Sequence, residues 1–233
     1  MLLFIINILF ITILLLFIIS FININKYNKN SKLIYLNQLS NIKNKRILDP
    51  LIFDINISKS YNKDIIDKYS KNYYEINNEM IRLEDLKDNK EINIINNYKL
   101  INDFNLNDDC DKIHNIFSSL LSCNVNYNGS LLQNLSIKIN KNNNNILLIG
   151  NIFGDCTILI INPKHNNYVN KNKNYLEELK KISIIVNLKK NKCLYIPTNW
   201  FYIIENKDLS FLVSIKSDTY LTYLYNKYNC YNE

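Results

Sequence analysis

The chain of 233 residues is poor in glycine and proline, with three of each, and has two methionines and one tryptophan. Asn, Ile, Lys and Tyr dominate instead. This bias is typical of an AT-rich genome, such as those of some viruses and protists. Because such a bias inflates Asn and Lys, the numbers of these residues carry less functional meaning than usual.

The five cysteines lack the spacing of a metal or redox motif. They stand singly at 110, 123, 156, 193 and 230, and no pair is spaced C-x-x-C. This arrangement gives no support to a zinc site or a thioredoxin-like motif. The odd number and wide spacing favour reduced, mostly buried thiols over a disulfide framework.

The formal net charge of +7 suits acidic surfaces. We interpret it as lysine spread over a solvated surface, because no RNP-like, zinc-knuckle or other nucleic-acid signature accompanies it. Nucleic acid is therefore not expected as a partner.

The N-terminal segment Leu2–Ile24 contains no charged residue. A helix of about 20 such residues spans the core of a bilayer. No Lys or Arg precedes the run and no small-residue cleavage site follows it, so the sequence favours an uncleaved signal anchor over a cleaved signal peptide. We predict a transmembrane signal-anchor helix at residues 1–25, and hence a single-pass membrane protein.

Three lysines, Lys26, Lys29 and Lys32, follow this segment. The positive-inside rule then places the rest of the chain on the cytoplasmic side. Residues 26–46 are polar and are predicted to form a tether, with a short strand at 33–36. Residues 47–233 are predicted to form one domain.

Within this domain, predicted helices come first and short strands cluster later. The best helix is 108–123, capped by Asp108 or Asp109, with an apolar stripe of Ile113, Ile116, Phe117, Leu120 and Leu121. A shorter helix is predicted at 64–69 and a helical insert at 174–181. Strands are predicted at 51–53, 73–83, 131–139, 146–149, 156–161 and 182–188. This order predicts an α+β, mostly β fold with an antiparallel sandwich or barrel.

Residues 192–215 contain the only tryptophan and one of the prolines. Two apolar runs, 193–196 and 200–204, flank the turn at 197–199, and a third run, 211–215, follows a polar break. Short apolar runs bounded by Pro, Asn and Asp are typical of antiparallel strands. Any chemistry of the chain is expected at the rim beside Trp200.

The sequence of residues 182–206, ISIIVNLKKNKCLYIPTNWFYIIEN, resembles the strand–turn–strand of JmjC-like cupin proteins. That family reads strand, Leu, a Gly-Asp turn, apolar-Tyr-Ile-Pro, small-Gly-Trp and aromatic-His. Pro197 and Trp200 match this pattern, while Asn191 and Asn199 stand at or beside positions where glycine is usual. Asn tolerates a positive φ better than other non-glycine residues, so both turns are expected to persist.

Two further segments support the resemblance. Residues 154–163 are similar to the Gly-x-Lys, strand, Pro segment of the family, with Gly154 and Pro163 at its ends, and Pro50 precedes an apolar strand as in the family. All three prolines thus fall on family landmarks. The resemblance covers roughly residues 47–225 and implies a double-stranded β-helix, cupin- or jelly-roll-like, with N-terminal helices.

The resemblance also implies an activity. The family holds Fe(II) through His-x-Asp/Glu and a distal His, and uses 2-oxoglutarate to hydroxylate or demethylate a substrate. Here Tyr202 stands at the distal His, and residues 131–145, where His-x-Asp is expected, contain neither His nor a carboxylate. Cys156 replaces the lysine that pairs with the cosubstrate. We therefore assign no catalytic or metal-binding residue and treat Tyr202, Cys156 and Asp155 as vestigial site positions.

The remaining candidates have simpler interpretations. His114 lies on the predicted helix and His165 follows Pro163, and neither begins a His-x-Asp or His-x-Glu. Cys156 on an apolar strand is expected to behave as a small buried hydrophobe. Trp200 is expected in the core, closing the end of a barrel.

Three functions remain open. We prefer a membrane-anchored, catalytically inactive cupin-like domain that acts as a binding or structural module, without a cofactor. The first alternative is an Fe(II)/2-oxoglutarate-dependent hydroxylase with unusual ligands, namely Tyr202, Asp155 and His165. The second is a small membrane scaffold or envelope protein unrelated to cupins. The partner is an unidentified protein or small molecule, and the aromatic residues of 220–231 offer a contact for an oligomer.

Overall fold

A computed structural model gives the fold of the chain. It describes residues 2–24, 26–36, 47–62, 64–76, 79–85, 93–118, 122–134, 138–172, 175–206, 208–220, 222–224 and 227. The predictions for Leu120, Leu121, Cys230 and most of 220–231 lie outside the described residues.

The described chain is mixed α+β and mostly β, with several antiparallel sheets, which confirms the predicted class. Its helices are α1 (Leu2–Ile24), α2 (Ile65–Lys68), α3 (Tyr98–Asp103), α4 (Asn107–Phe117), α5 (Asn166–Lys171) and α6 (Leu176–Ile182). A 3-10 turn, Pro163–His165, precedes α5. Its strands are β1 (Ile34–Leu36), β2 (Leu51–Asp54), β3 (Tyr73–Ile76), β4 (Glu79–Arg82), β5 (Ile94–Asn97), β6 (Ser122–Leu132), β7 (Asn140–Lys141), β8 (Ile146–Phe153), β9 (Cys156–Ile161), β10 (Ser183–Leu188), β11 (Lys192–Tyr195), β12 (Phe201–Glu205) and β13 (Ser210–Thr219).

Helix α1 covers the apolar N-terminal segment, as predicted, and its side chains are described at 4–15 and 18. Within the described residues, no helix is long and apolar enough to cross a membrane.

The segment after α1 is attached to the domain. Strand β1 pairs in parallel with β2, which confirms the strand predicted at 33–36. The side-chain amide of Asn162 donates to the Asn28 carbonyl (2.8 Å) and to Ser31 Oγ (2.6 Å). Lys164 Nζ donates to the Lys29 carbonyl (2.7 Å). The first part of the predicted tether is therefore fixed to the loop after β9.

Two sheets build the body of the domain. The larger has the strand order β1-β2-β11-β8-β13-β6-β5 and the smaller β10-β9-β12-β7. Strands β3 and β4 form a separate antiparallel pair. Apart from β1 and β2, neighbouring strands within these sheets are antiparallel.

The side chains of β13 show how the layers are arranged. Because strand residues alternate between faces, Phe211, Val213 and Ile215 join the core beneath α3 and α4, which we call the helical core. Leu212 points the other way, into the core between the two sheets, which we call the inter-sheet core. On the far side of the smaller sheet, Phe201 packs with residues of α5 and α6.

The turns that carry the family resemblance have the expected backbone. Asn191 and Asn199 have φ values of 60° and 68°, which confirms the positive φ expected at both turns. Asn142 holds the second turn: its amide group donates to the Ile196 carbonyl (2.8 Å), and its backbone N–H donates to the Trp200 carbonyl (2.8 Å). Trp200 is fully buried, as predicted.

The predicted helix at 108–123 is too long. Helix α4 ends at Phe117, and Ser122 already begins β6. Neither Asp108 nor Asp109 caps it, because both lie within its first turn. The strand predicted at 131–139 instead runs from Ser122 to Leu132, so only 131–132 agree with the prediction. Its first half alternates Cys123, Val125 and Tyr127 with asparagines, which is a strand pattern that sequence reasoning missed.

The strand predicted at 73–83 is also wrong. Its two halves, β3 and β4, pair with each other, Tyr73 opposite Arg82 and Ile76 opposite Glu79. Sequence reasoning missed β5, α3 and α5, because each is only four to six residues long and therefore carries little periodicity.

Candidate functional site

A cavity of about 150 Å³ lies between the two sheets, against the middle of β13. Strands β5, β6, β8 and β13 of the larger sheet form one wall, and β7 and β12 of the smaller sheet form the other. The lining residues are Ile95, Asn96, Ser130, Leu132, Lys138, Asn140, Ile149, Tyr202, Ile204, Leu212, Ser214 and Lys216.

Tyr202 reaches this cavity from the centre of the smaller sheet. It lies opposite Asn140 on β7 and Ile160 on β9. Because β12 alternates, Tyr202 and Ile204 face the cavity while Phe201 faces α5 and α6. Burial raises the pKa of the Tyr202 phenol, so it stays protonated at neutral pH.

Lys216 reaches the same cavity from the larger sheet. It continues the face of β13 that carries Leu212 and Ser214, and it is half-buried. Burial lowers the pKa of its ammonium group, since a low-dielectric environment disfavours the charged form. Among the described residues, no carboxylate pairs with it.

Lys138 supplies a second ammonium group just before β7. Its side chain is exposed, so it lies at the mouth of the cavity, whereas Lys216 lies deeper. No described carboxylate pairs with Lys138 either. The two lysines give the cavity a positive charge.

The other polar groups of the wall are neutral. Ser130 Oγ accepts a hydrogen bond from the backbone N–H of Asn96 (2.9 Å), which leaves its hydroxyl proton free to donate. Ser214 lies two residues before Lys216 on β13, so both side chains are on the same face of the strand. The cavity can therefore offer hydrogen-bond donors beside the positive charge.

The vestigial positions are only partly brought together. Tyr202 lines the cavity and Cys156 lies in the inter-sheet core beside it, buried to 4% exposure. Burial raises the pKa of the Cys156 thiol to about 12, so it is protonated and unreactive, as expected of a small hydrophobe. Asp155 precedes β9 at the turn after Gly154, and it is not among the lining residues.

The unusual ligand set of Tyr202, Asp155 and His165 is not assembled. Asp155 and His165 lie before and after β9, whose six residues extend about 20 Å at ~3.3 Å per residue. A metal ion bonds ligands at about 2 Å, so the two side chains cannot share one ion.

His114 is buried rather than exposed. Its ring packs against Tyr127 with centroids 6.5 Å apart, and its Nε2 has no hydrogen-bond partner among the described residues. Burial lowers the pKa of His114 despite the nearby Asp111. The residue belongs to the helical side of the larger sheet and not to the cavity.

These residues do not fit an Fe(II) site. The facial site needs two imidazoles and a carboxylate, and the described cavity wall offers a phenol, ammonium groups, hydroxyls and amides instead. No group of three His, Cys, Asp or Glu side chains that could hold a metal ion occurs in the described parts of the chain.

A scan against models of known protein families gives no match, and a search of curated proteins gives none either. The cavity itself therefore carries the functional argument.

Sequence reasoning missed Lys138 and Lys216. The signal for Lys216 was its position two residues after Ser214 and four after Leu212, on the same face of a strand. This signal becomes meaningful only once β13 is known to run to Thr219.

Proposed function

We propose that the chain is a membrane-anchored, catalytically inactive cupin-like domain that acts as a binding module. The observation that carries this proposal is the cavity between the sheets. Under the cupin resemblance it corresponds to the active site, because Tyr202, which aligns with the family's distal histidine, lies in its wall. Its described lining holds neither a histidine nor a carboxylate.

The strand order supports a double-stranded β-helix. From β6 onward the chain alternates between the sheets, except that the consecutive strands β9 and β10 pair within the smaller one. Strands β6, β8, β11 and β13 are neighbours in the larger sheet, and β7, β9, β10 and β12 form the smaller sheet. Eight strands wound in this way between two facing sheets are typical of jelly rolls and cupins.

Iron analysis tests the loss of catalysis. We expect the full chain, reconstituted anaerobically with Fe(II) and 2-oxoglutarate and then desalted, to retain far less than one iron per chain. It should also fail to turn over 2-oxoglutarate. Iron bound at one per chain would contradict the proposal, as would turnover that Tyr202→Phe abolishes.

The composition of α1 supports the anchor. Its 23 residues are uncharged, and its described side chains, all apolar except Asn7 and Thr12, are exposed, among them Phe4 (69%), Leu9 (58%) and Phe10 (66%). A helix that is apolar on all faces belongs in a membrane or a core, and exposure argues against a core.

Alkaline extraction of membranes tests this anchor. We expect the full chain to stay with the membrane pellet. The double variant Ile11→Arg, Leu14→Arg should be released, because each central charge costs about 2.5–3.5 kcal/mol of insertion. The matched variant Ile11→Val, Leu14→Val should remain in the pellet. Release of the unmodified chain would overturn the anchor.

A further inference from the structure

We propose that the surface next to α1 binds the headgroups of anionic phospholipids through four lysines, Lys26, Lys29, Lys32 and Lys164, which we call the basic patch. This inference rests on the proposed function, because it requires α1 to lie in a bilayer.

The two segments that meet at this surface carry charge of one sign. Residues 26–36 and 162–172 together contain five lysines and no aspartate or glutamate. They therefore contribute +5, while the whole chain, with 28 basic and 21 acidic residues, has a formal net charge of +7. The net positive charge is concentrated beside α1.

Hydrogen bonds hold the lysines of the patch together. Lys164 Nζ donates to the carbonyl of Lys29 (2.7 Å). The side-chain amide of Asn162 donates to the Asn28 carbonyl (2.8 Å) and to Ser31 Oγ (2.6 Å). The other two lysines of the patch lie within two residues of these acceptors along the chain. The patch is therefore one surface of the domain and not a run of charge along a free tail.

The ammonium groups of the patch are free to bind an anion. All four side chains are exposed, and no described carboxylate pairs with any of them. Lys164 uses one of its three donors for the Lys29 carbonyl and keeps two. Asp49 contacts the tether through the Asn28 side chain (3.1 and 3.3 Å), so positive charge stays in excess. His165 adds no charge at neutral pH, because burial and the charge of Lys164 lower its pKa.

The length of the chain brings the patch to the headgroups. Helix α1 has 23 residues, or about 34 Å at ~1.5 Å per residue, so it crosses the ~30 Å core and ends at the headgroup layer. Lys26 is the second residue after α1, and the five peptide units from Ile24 to Lys29 reach at most about 18 Å. The headgroup layer is about 5–8 Å thick, and the potential of an anionic leaflet decays over about a further 8 Å. The patch therefore lies where that potential acts.

Position and charge together select lipid phosphates as the ligand. The positive-inside rule places the domain at the cytoplasmic leaflet, which carries anionic lipids. One lysine near such a leaflet strengthens the attraction by a factor of about five. An ammonium group is a compact charge on a flexible stem and demands no fixed geometry. Exposed lysines therefore suit a fluid layer of phosphates better than a single soluble anion.

The test is acetylation of lysines in the full chain, held in lipid nanodiscs and analysed residue by residue with mass spectrometry. The discs contain phosphatidylcholine alone or with about 30% phosphatidylglycerol, an anionic lipid without an amine. The reagent, N-hydroxysuccinimide acetate, is neutral, so the charge of the surface does not change its concentration. We expect acetylation of Lys29, Lys32 and Lys164 to slow at least threefold in the anionic discs, and about 0.5 M NaCl to reverse most of this slowing.

Lys59 and Lys189 are matched controls within the same molecule, because both are exposed lysines far from α1. Lys189 follows β10 at the end of β9 opposite to the loop after β9, about 20 Å away at ~3.3 Å per residue. Lys59 belongs to the same end, because Lys190 Nζ donates to the carbonyl of Tyr61 (2.7 Å). Their acetylation should proceed at the same rate in both kinds of disc.

Variants separate binding from nearness to the membrane. In the double variant Lys29→Gln, Lys32→Gln, we expect Lys164 to need at least threefold more phosphatidylglycerol for half of its protection. The backbone carbonyl that Lys164 contacts is retained in this variant. The matched variant Lys59→Gln, Lys189→Gln should leave the protection of Lys164 unchanged. Circular dichroism checks that each variant is folded.

Several results overturn the inference: no slowing in anionic discs, equal slowing at Lys59 and Lys189, or unchanged protection of Lys164 in the folded Lys29→Gln, Lys32→Gln variant. Equal slowing by inorganic phosphate added to neutral discs also overturns it, because the ligand is then a soluble anion. If the lysines are unprotected while the chain resists alkaline extraction, only the lipid inference is wrong. If alkali releases the unmodified chain, the proposed anchor itself is wrong.

Discussion

The two faces of the larger sheet differ in how their charged side chains are paired. On the helical side, Asp103 accepts hydrogen bonds from Tyr74 Oη (2.8 Å) and from the Asn72 side chain (2.9 Å). Asp109 accepts from the backbone N–H (3.0 Å) and the hydroxyl (2.7 Å) of Ser58. These carboxylates join α3 to the strand β3 and the residue before it, and α4 to the loop after β2.

On the inter-sheet side, the charged groups have no such partners. The ammonium groups of Lys138 and Lys216 and the phenol of Tyr202 make no hydrogen bond or ion pair with any described residue, although the neighbouring hydroxyl of Ser130 does. Buried polar groups are normally satisfied within the protein. The unpaired groups of Lys216 and Tyr202 are therefore consistent with the binding role proposed for this cavity.

The largest effect is expected from the helical core. Phe104 is 1% exposed and contacts the rings of Tyr69 and Phe211 at centroid distances of 4.9 and 5.0 Å. We expect Phe104→Ala to lower the free energy of unfolding by about 3–5 kcal/mol, because it leaves a cavity. Denaturant titration measures the loss, and the exposed Tyr175→Ala should change it by less than about 0.5 kcal/mol.

The next effect comes from a buried carboxylate. Asp109 is 1% exposed, so Asp109→Ala leaves the Ser58 amide and hydroxyl without their acceptor. We expect a loss of about 3 kcal/mol in unfolding free energy, since hydrogen bonds to charged groups contribute ~1.5–3 kcal/mol each. Asp108→Ala, exposed on the same turn, should cost only about 0.3–1 kcal/mol. Equal losses in the two variants would remove the structural role of Asp109.

A pair of tyrosine variants compares the two faces directly. Tyr74→Phe should cost about 1.5–2 kcal/mol, because Asp103 loses a charge-assisted hydrogen bond. Tyr202→Phe should change the unfolding free energy by less than about 0.5 kcal/mol, because its hydroxyl has no described partner. A larger loss for Tyr202→Phe than for Tyr74→Phe would reverse the comparison.

The smallest effect is the pH dependence from Lys216. Its pKa is lowered in the folded protein, so between that lowered value and about 10.4 the unfolded chain binds more protons. Stability from this group therefore rises with pH across that window. We expect Lys216→Met to be more stable than the unmodified chain at neutral pH, and the difference to shrink as the pH approaches 10.4. Urea titrations of both proteins from pH 7 to 10.5 measure it, and a constant difference would contradict the assignment.

The elements predicted best are those whose signals are local. The turn before Trp200 could be predicted because Asn199 tolerates the positive φ that the turn requires. Strand β9 could be predicted because its apolar run is nearly unbroken, and its bounds agree with the prediction. The class of the fold follows from the order of such runs.

The elements predicted worst depend on contacts distant in sequence. The first half of β6 alternates apolar residues with asparagines, which indicates a strand but not its partner. In the fold it pairs with β13, where Asn126 lies opposite Lys216. Nothing in residues 122–130 alone indicates this partner. Only part of the cavity wall could be predicted, for the same reason. The family resemblance pointed to Tyr202, whereas Lys216 is placed in the same cavity by the register of β13 with its neighbouring strands.

The docked tether has a consequence for how the domain meets its ligand. Only residues 25–27 separate the end of α1 from Asn28, whose carbonyl is already bound to Asn162. The four peptide units from Ile24 to Asn28 reach at most about 14 Å when fully extended. If α1 spans a bilayer, the loop after β9 therefore lies next to the headgroups. The domain then has a fixed height and a fixed side towards the membrane, and it can search for partners only by diffusing in two dimensions along that surface.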